Sequence, residues 1–331
     1  MAFRLKLVPD ETHIDFFRWR WLTNGVSIVA MIVSVIFIVT MGLNFGIDFK
    51  GGTTIRTESS NAFEVAEYRE ALSGLNLSDL SITEVFDPGF GPDRHVAQIR
   101  IGTENETGSV TPEELNRIES ALKVVDPQVT FASVESVGPK VSGELIKTAL
   151  YAVGAATIGI LLYIWLRFEW QFAVGAVVAL IHDVLLTVGI FAAFQIRFDL
   201  STIAALLTIL GYSVNDTVVV FDRLRENLVK FKTMPLIDVM NLTVNETLSR
   251  TVMTGVTTAL ALGAMLIWGG DVIRGFVFAM FWGVGVGIYS TVYLAKNIVL
   301  LLGVRRDWDK PVRGEKKELD ELSGTPFQDA P

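Results

Sequence analysis

Six stretches of the chain are long and apolar enough to cross a membrane: residues 22–44, 147–166, 171–194, 201–221, 252–269 and 273–303. A hydrocarbon layer of about 30 Å takes a helix of about 20 such residues. No water is available there to satisfy the backbone, so a crossing segment must close its own hydrogen bonds as a helix. Six such blocks predict a polytopic α-helical membrane protein. The first follows Arg4, Lys6, Arg18 and Arg20 but is too long for a signal-peptide core, and no small-residue cleavage pattern follows it. It is expected to remain as an anchor.

Lysine and arginine in short loops orient such a chain. They occur in the N-terminal tail (1–21), at Arg167 between the second and third spans, and at Arg223, Arg225, Lys230, Lys232 and Arg250 between the fourth and fifth. Arg305, Arg306, Lys310, Arg313, Lys316 and Lys317 lie in the C-terminal tail (304–331). Alternation puts all of these on one side, expected to be cytoplasmic with both termini, while the opposite short loops hold only Arg197 and Arg274. The segment 222–250 is expected to be an amphipathic helix with Phe221, Leu224, Leu228 and Phe231 on one side. Glycines and alanines four apart, Gly255, Ala259 and Gly263 and then Ala279, Gly283 and Gly287, are expected to let helix backbones approach closely in lipid.

Between the first and second spans lies a polar stretch, expected as an external domain over 45–143, with 144–303 as a five-span bundle. "GGTTIRTE" (51–58), "LSITEVF", "HVAQIRI" and "QVTFASVESV" (128–137) read as strands. A turn with Asp87-Pro88-Gly89 and Gly91-Pro92 separates the middle two. "NAFEVAEYREALSGL" (61–75) reads as a helix capped by Asn61. "TPEELNRIESALKVV" (111–125) reads as a second, with Thr111 as N-cap, Pro112 in the first turn and Glu114 at the capping-box position. The order β-α-β-β-α-β is that of a ferredoxin-like α+β unit. His95 sits alone on a strand and is read as structural.

Ionisable residues at membrane depth are costly and usually face a bundle interior or a water path. His182 and Asp183 fall near the middle of the third span. Asn215 and Asp216 interrupt the fourth, in "GYSVNDTVVVFDRLREN" (211–227). Lys296, about two turns from the end of the sixth, is expected to snorkel to the interface. Arg250 opens the fifth, and Thr254, Thr257 and Thr258 continue from it as a hydroxyl stripe. A carboxylate in low dielectric takes up a proton more readily than in water, and a nearby guanidinium opposes that. Asp216 with Arg250 therefore forms a candidate proton-responsive pair, the alternative being a fixed pair that only locks helices together. The chain has no cysteine, hence no disulfide or thiolate metal site. It has no phosphate-binding GxxxxGK[ST], no HExxH and no Ser/His/Asp constellation, so a non-enzymatic role without cofactor, metal or nucleic acid is expected.

The stretches "FGIDFKGGTTI" (45–55), "GYSVNDTVVVFDRLREN" and "LSRTVMTGVTT" (248–258) resemble the SecD/SecF family of bacterial protein-export membrane subunits, along nearly the whole chain. The resemblance implies six helices forming half of an RND-superfamily transporter, with a periplasmic domain between helices one and two. It implies pairing with SecD, association with the SecYEG channel and YajC in the bacterial inner membrane, and use of the proton gradient to pull or release preproteins late in translocation. It assigns the proton path to Asp216 and Arg250, with Asn215 beside them; Asp183, His182, Thr254, Thr257 and Thr258 stand as secondary candidates from their own place in the spans. "GIDFKGG" then marks the domain junction, with Asp48, Gly51 and Gly52 positioning the domain. Two rival readings are half of an RND-type small-molecule exporter and a structural scaffold of the channel.

Overall fold

The computed structural model describes residue 9 and residues 12–85, 94–102 and 110–304. The expected 87–92 turn, Arg4 and Lys6, and the basic residues of the C-terminal tail lie outside these. Among the described residues six helices are long and apolar enough to span a membrane: α1 (Arg20–Thr40), α5 (Pro139–Arg167), α6 (Trp170–Ala193), α7 (Leu200–Lys230), α8 (Leu236–Trp268) and a composite sixth. The composite joins α9 (Asp271–Tyr289), a π-helical segment (Ser290–Ala295) and α10 (Lys296–Leu302). α6 is the centre of the bundle, with half of its apolar window buried, whereas α1, α5 and α8 stay largely exposed along theirs. The apolar faces these helices leave uncovered belong in lipid or against another apolar surface.

Residues 222–250 do not form a helix of their own. They are the end of α7 and the beginning of α8, joined through Phe231–Pro235. Pro235, with no N–H to donate, sits at the N-cap of α8. Phe221, Leu224 and Leu228 do share a buried face, packing with Phe168, Phe172, Val239 and Met240 in one core cluster. Nor is all of the N-terminal tail detached. The Ile14 N–H donates to Asn245 Oδ1 at 2.9 Å and the Phe16 N–H to Asn241 Oδ1 at 3.0 Å. This strap along α8 lets Phe16 and Phe17 bury in the same cluster. The strap, the α5–α6 turn and the α7–α8 turn therefore share one end of the bundle, where Arg167 pairs with Asp222 at 2.8 Å.

The small residues work as spacers at some positions. A Cβ on Gly283 would collide with Ile209 of α7, and one on Gly255 with Ile288. Gly189 similarly admits Ser34 of α1, and a methyl on Gly175 would stand 2.8 Å from the Ala295 carbonyl oxygen. Gly263 has only ordinary contacts.

The segment between α1 and α5 folds as β2 (Gly52–Ser59), α3 (Val65–Ser73), β3 (Ser81–Val85), β4 (His95–Ile101), α4 (Pro112–Val125) and β5 (Thr130–Val137). The strands form one antiparallel sheet in the order β3-β4-β2-β5. Its core is Ile55, Ile82, Ala97, Ile99 and Ile101 from the sheet against Tyr68, Leu72, Ile118 and Leu122 from the helices. Each buried isoleucine or leucine among them contributes about 1.5–3 kcal/mol on leaving water. The capping box of α4 forms as read: the Glu114 N–H donates to the Thr111 hydroxyl, and the Thr111 N–H to the Glu114 carboxylate at 2.8 Å. Asn61 does not cap α3, which starts after Glu64. Asn61 instead donates to buried Asp126 at 3.2 Å, as does the Tyr68 hydroxyl. Burial alone would push the Asp126 carboxyl up. Donation from Ser59, the Gln128 N–H, Asn61 and Tyr68 outweighs it and holds the group below the ordinary carboxylate value. Burial first, and then the Asp126 charge, pushes the Tyr68 phenol up.

Candidate functional site

α7 carries the candidate site because its sequence changes character along one face. Thr202, Ala205, Leu206, Ile209, Ser213, Thr217, Val220 and Leu224 face inward. Asp216 lies beside that stripe and is half-buried, while Asn215, one residue earlier and about 100° away around the helix, is exposed. The Thr251 hydroxyl of α8 donates to Asp216 Oδ1 at 3.0 Å. Two cations act on the carboxylate electrostatically, Arg250 from α8 and Lys296 from the sixth span. Beside it, the Thr217 and Thr291 hydroxyls are 2.9 Å apart and tie α7 to the π-helical segment.

The hydroxyl stripe of α8 is displaced from the expected one. The inward face is Thr243, Thr247, Thr251 and Gly255 at four-residue spacing. Arg250, Thr254 and Thr257 are exposed on the neighbouring face. Thr257 and Thr258 turn their hydroxyls back to backbone carbonyls of α8, at 2.8 and 2.9 Å. Thr258 also accepts from the Tyr212 hydroxyl at 3.3 Å. None of these three threonines reaches Asp216 in the hydrogen bonds described. Thr251 was missed because Arg250 drew the register to itself, and two consecutive helical residues do not face one way.

Asp183 and His182 form a separate centre. Both are fully buried. Asp183 Oδ1 lies 3.0 Å from His182 Nδ1, and Oδ2 accepts from Ser213 of α7 at 2.7 Å and Ser290 at 2.8 Å. The His182 ring lies 5.9 Å from that of Tyr289, whose hydroxyl donates to the Thr23 carbonyl of α1. Three spans are thus tied through one carboxylate, and α1 joins through the tyrosine. Ser213 and Ser290 lie in apolar runs and gave no motif signal. Lys296 contradicts the snorkelling expectation, being 1% exposed. The Phe16 ring, held in place by the strap, lies 5.9 Å from its Nζ.

The junction residues do meet the α6–α7 connection. β1 (Asn44–Phe45) pairs in parallel with β6 (Arg197–Phe198), and the Gly46 N–H donates to the Phe198 carbonyl at 2.8 Å. α2 (Ile47–Lys50) then places Asp48 Oδ2 at 3.0 Å from the Leu200 N–H, the first residue of α7. A helix N-terminus presents unpaired N–H groups and partial positive charge, so a carboxylate there is favoured. Gly51 and Gly52 have φ of +79° and +138°, and a Cβ on Gly52 would stand 2.6 Å from the Ile101 carbonyl oxygen. Only glycine makes this turn into β2 without strain. The start of the Asp216 helix is therefore bonded to the strand-entry turn of the α+β domain between α1 and α5. No cluster of three metal-ligating side chains occurs among the described residues.

Comparison with known proteins gives a consistent set of relatives. A family model described as the protein export membrane protein SecD/SecF C-terminal region matches residues 117–305, and one for the SecD/SecF GG motif matches 36–62. The chain is 65% identical over 327 residues to protein translocase subunit SecF of Cereibacter sphaeroides, covering 99% of this chain and 98% of that one. It is 38% identical over 303 residues to SecF of Rickettsia akari, covering 91% and 96%. Among solved structures it is similar to crystalline SecDF of Thermus thermophilus, described there as a translocon-associated membrane protein, with a TM-score of 0.78 and 32% identity. That match covers 89% of this chain and 39% of the SecDF chain, so the chain spans about two fifths of that longer protein.

Proposed function

Since the chain belongs to the SecD/SecF family of protein-export membrane proteins, we propose that it is a proton-gradient-driven accessory subunit of the Sec translocase. In this reading it acts without enzymatic chemistry, paired with SecD and associated with SecYEG and YajC in the bacterial inner membrane. It assists late translocation and release of preproteins. The observation that carries the reading is the path along α7 from Asp216 to the domain between α1 and α5. The carboxylate lies 16 residues into α7, about 24 Å from its start, and that start is held by Asp48 and the β1–β6 pair. A change of charge at Asp216 alters its hydrogen bond to Thr251 of α8, and α7 carries the resulting tilt or shift to the domain junction.

Pairing with SecD is supported by what α7 and α8 leave uncovered. Thr208, Gly211 and Asn215 of α7 are exposed at three- and four-residue spacing, as are Arg250, Thr254 and Thr257 of α8. Asparagine and arginine are expensive against lipid at membrane depth. A second six-helix half placed on this face would cover them and enclose Asp216, giving the two-half architecture of an RND transporter. The strand order and β-α-β-β-α-β succession support naming the external unit ferredoxin-like. The clustering of Arg167, Arg223 and the N-terminal strap at one end supports a cytoplasmic position for that end and for both termini, with the domain on the periplasmic side.

The test is Asp216→Asn, nearly isosteric and unable to carry charge. In membrane vesicles the variant is expected to co-purify with SecD as the wild type does, and to lose the stimulation of export by an imposed proton gradient. Normal stimulation would leave the scaffold reading in its place.

A further inference from the structure

Lys296 is a buried ionisable group with no part in the path from Asp216 to the external domain. Its Nζ makes no hydrogen bond among the described residues. The Phe16 ring, which the N-terminal strap holds through Asn241, lies 5.9 Å from the Nζ. Among those residues, Asp216 of α7 is the charge that acts on Lys296, and Arg250 and Lys296 are the two that act on Asp216. Asp183 of α6, a second acid buried within the bundle, is taken up by His182, Ser213 and Ser290.

The backbone places the lysine there. The π-helical segment Ser290–Ala295 ends immediately before it. A π segment adds a residue to the turn and rotates the downstream residues by about 100°, and such insertions cluster at functional sites. Gly175 lets α6 close against that widened segment. The Thr217–Thr291 contact ties its start to the residue after Asp216. One carboxylate is thus acted on by two basic side chains on different helices, Arg250 exposed and Lys296 buried.

We propose that Lys296 is a third member of the Asp216–Arg250 site: a positioning residue that serves as the buried counter-charge of Asp216 and couples its protonation to the sixth span. The inference rests on Asp216 being the proton-carrying group. With Asp216 ionised, Lys296 has a partner. When Asp216 takes a proton, the lysine becomes an uncompensated cation in a dry site, which the low dielectric penalises heavily. That penalty is relieved by moving the sixth span or by releasing a proton. Either way, loading Asp216 is transmitted to the sixth span as well as to α7.

Hydrophobic carbodiimides react with protonated carboxyl groups, so adduct formation at Asp216 reads its protonation in the intact complex with its partner half. Lys296→Met keeps the volume and removes the charge; Lys296→Arg keeps the charge. At pH 7, Lys296→Met is expected to raise labelling of Asp216 by about tenfold, the effect of losing one opposite charge worth about a pH unit. Lys296→Arg is expected to label as the wild type does. Equal labelling in all three proteins overturns the proposal, because a lysine that only fills space would not alter Asp216 reactivity. Normal gradient stimulation in Asp216→Asn would instead remove the premise, a result independent of any Lys296 variant.

Discussion

Asp48→Ala isolates the connection between the external domain and the helix that carries Asp216. The substitution removes the acceptor of the Leu200 N–H. α7 keeps its own cap, because Asp199 accepts from the Thr202 N–H at 3.1 Å in a complete capping box. The β1–β6 pair and the Gly46 to Phe198 hydrogen bond also remain. The loss is therefore one charge-assisted hydrogen bond at a helix terminus in a partly solvated place. Such a bond is worth about 1.5–3 kcal/mol when well shielded, and about 1 kcal/mol is a fair figure after solvent screening. One kcal/mol is about a fivefold change in the equilibrium between docked and released junction. Hydrogen exchange followed by mass spectrometry on the purified complex should show residues 196–204 exchanging about fivefold faster in Asp48→Ala. Asp48→Asn, which retains an acceptor oxygen, should fall between. Gradient-stimulated export should drop in the same order while SecD stays bound. Unchanged exchange with unchanged export would refute the claim that this contact transmits anything.

Two other outcomes concern the buried acids. The Asp126 carboxyl is held below its ordinary value, so its contribution to domain stability is present above about pH 4 and is lost as the pH falls through the folded value. Asp126→Ala should lower domain stability at pH 7 by about 1–3 kcal/mol and flatten the acid limb seen by scanning calorimetry. An acid limb identical to that of the wild type would contradict this. Asp183→Asn should lower the melting temperature of the detergent-solubilised complex, because one acceptor of the Ser213–Ser290–His182 arrangement becomes a donor, yet keep gradient stimulation. Loss of stimulation at full thermal stability would move Asp183 from a helix-locking role into the proton path.

Periodicity and energetic cost are what made parts of this molecule readable from its sequence. Six apolar runs, the Thr111–Glu114 box and the strands of the external domain are local signals, and the structure realises each of them. Asp216 stood out because a carboxylate in an apolar run demands a reason. Rotation around the helices was harder to read. Arg250 and Thr251 are neighbours in sequence, but only Thr251 faces Asp216. Lys296 looked close enough to a helix end to reach water, and it is the π segment and the Phe16 strap, both products of tertiary packing, that bury it. The separate helix expected over 222–250 failed for a related reason. Polar residues there mark where α7 and α8 leave the apolar layer, and Pro235, which cannot continue a helix, parts the two.

The central claim is that the protonation state of Asp216 moves the external domain. The chain has no native cysteine, so spin labels at Glu113 of α4 and Thr233 of the α7–α8 turn, both exposed, report that movement without background. In reconstituted complex, the distance distribution between the two labels is expected to change when a proton gradient is imposed. In Asp216→Asn it is expected to stay at one setting with or without the gradient. A gradient-dependent change of equal size in both proteins would contradict the account.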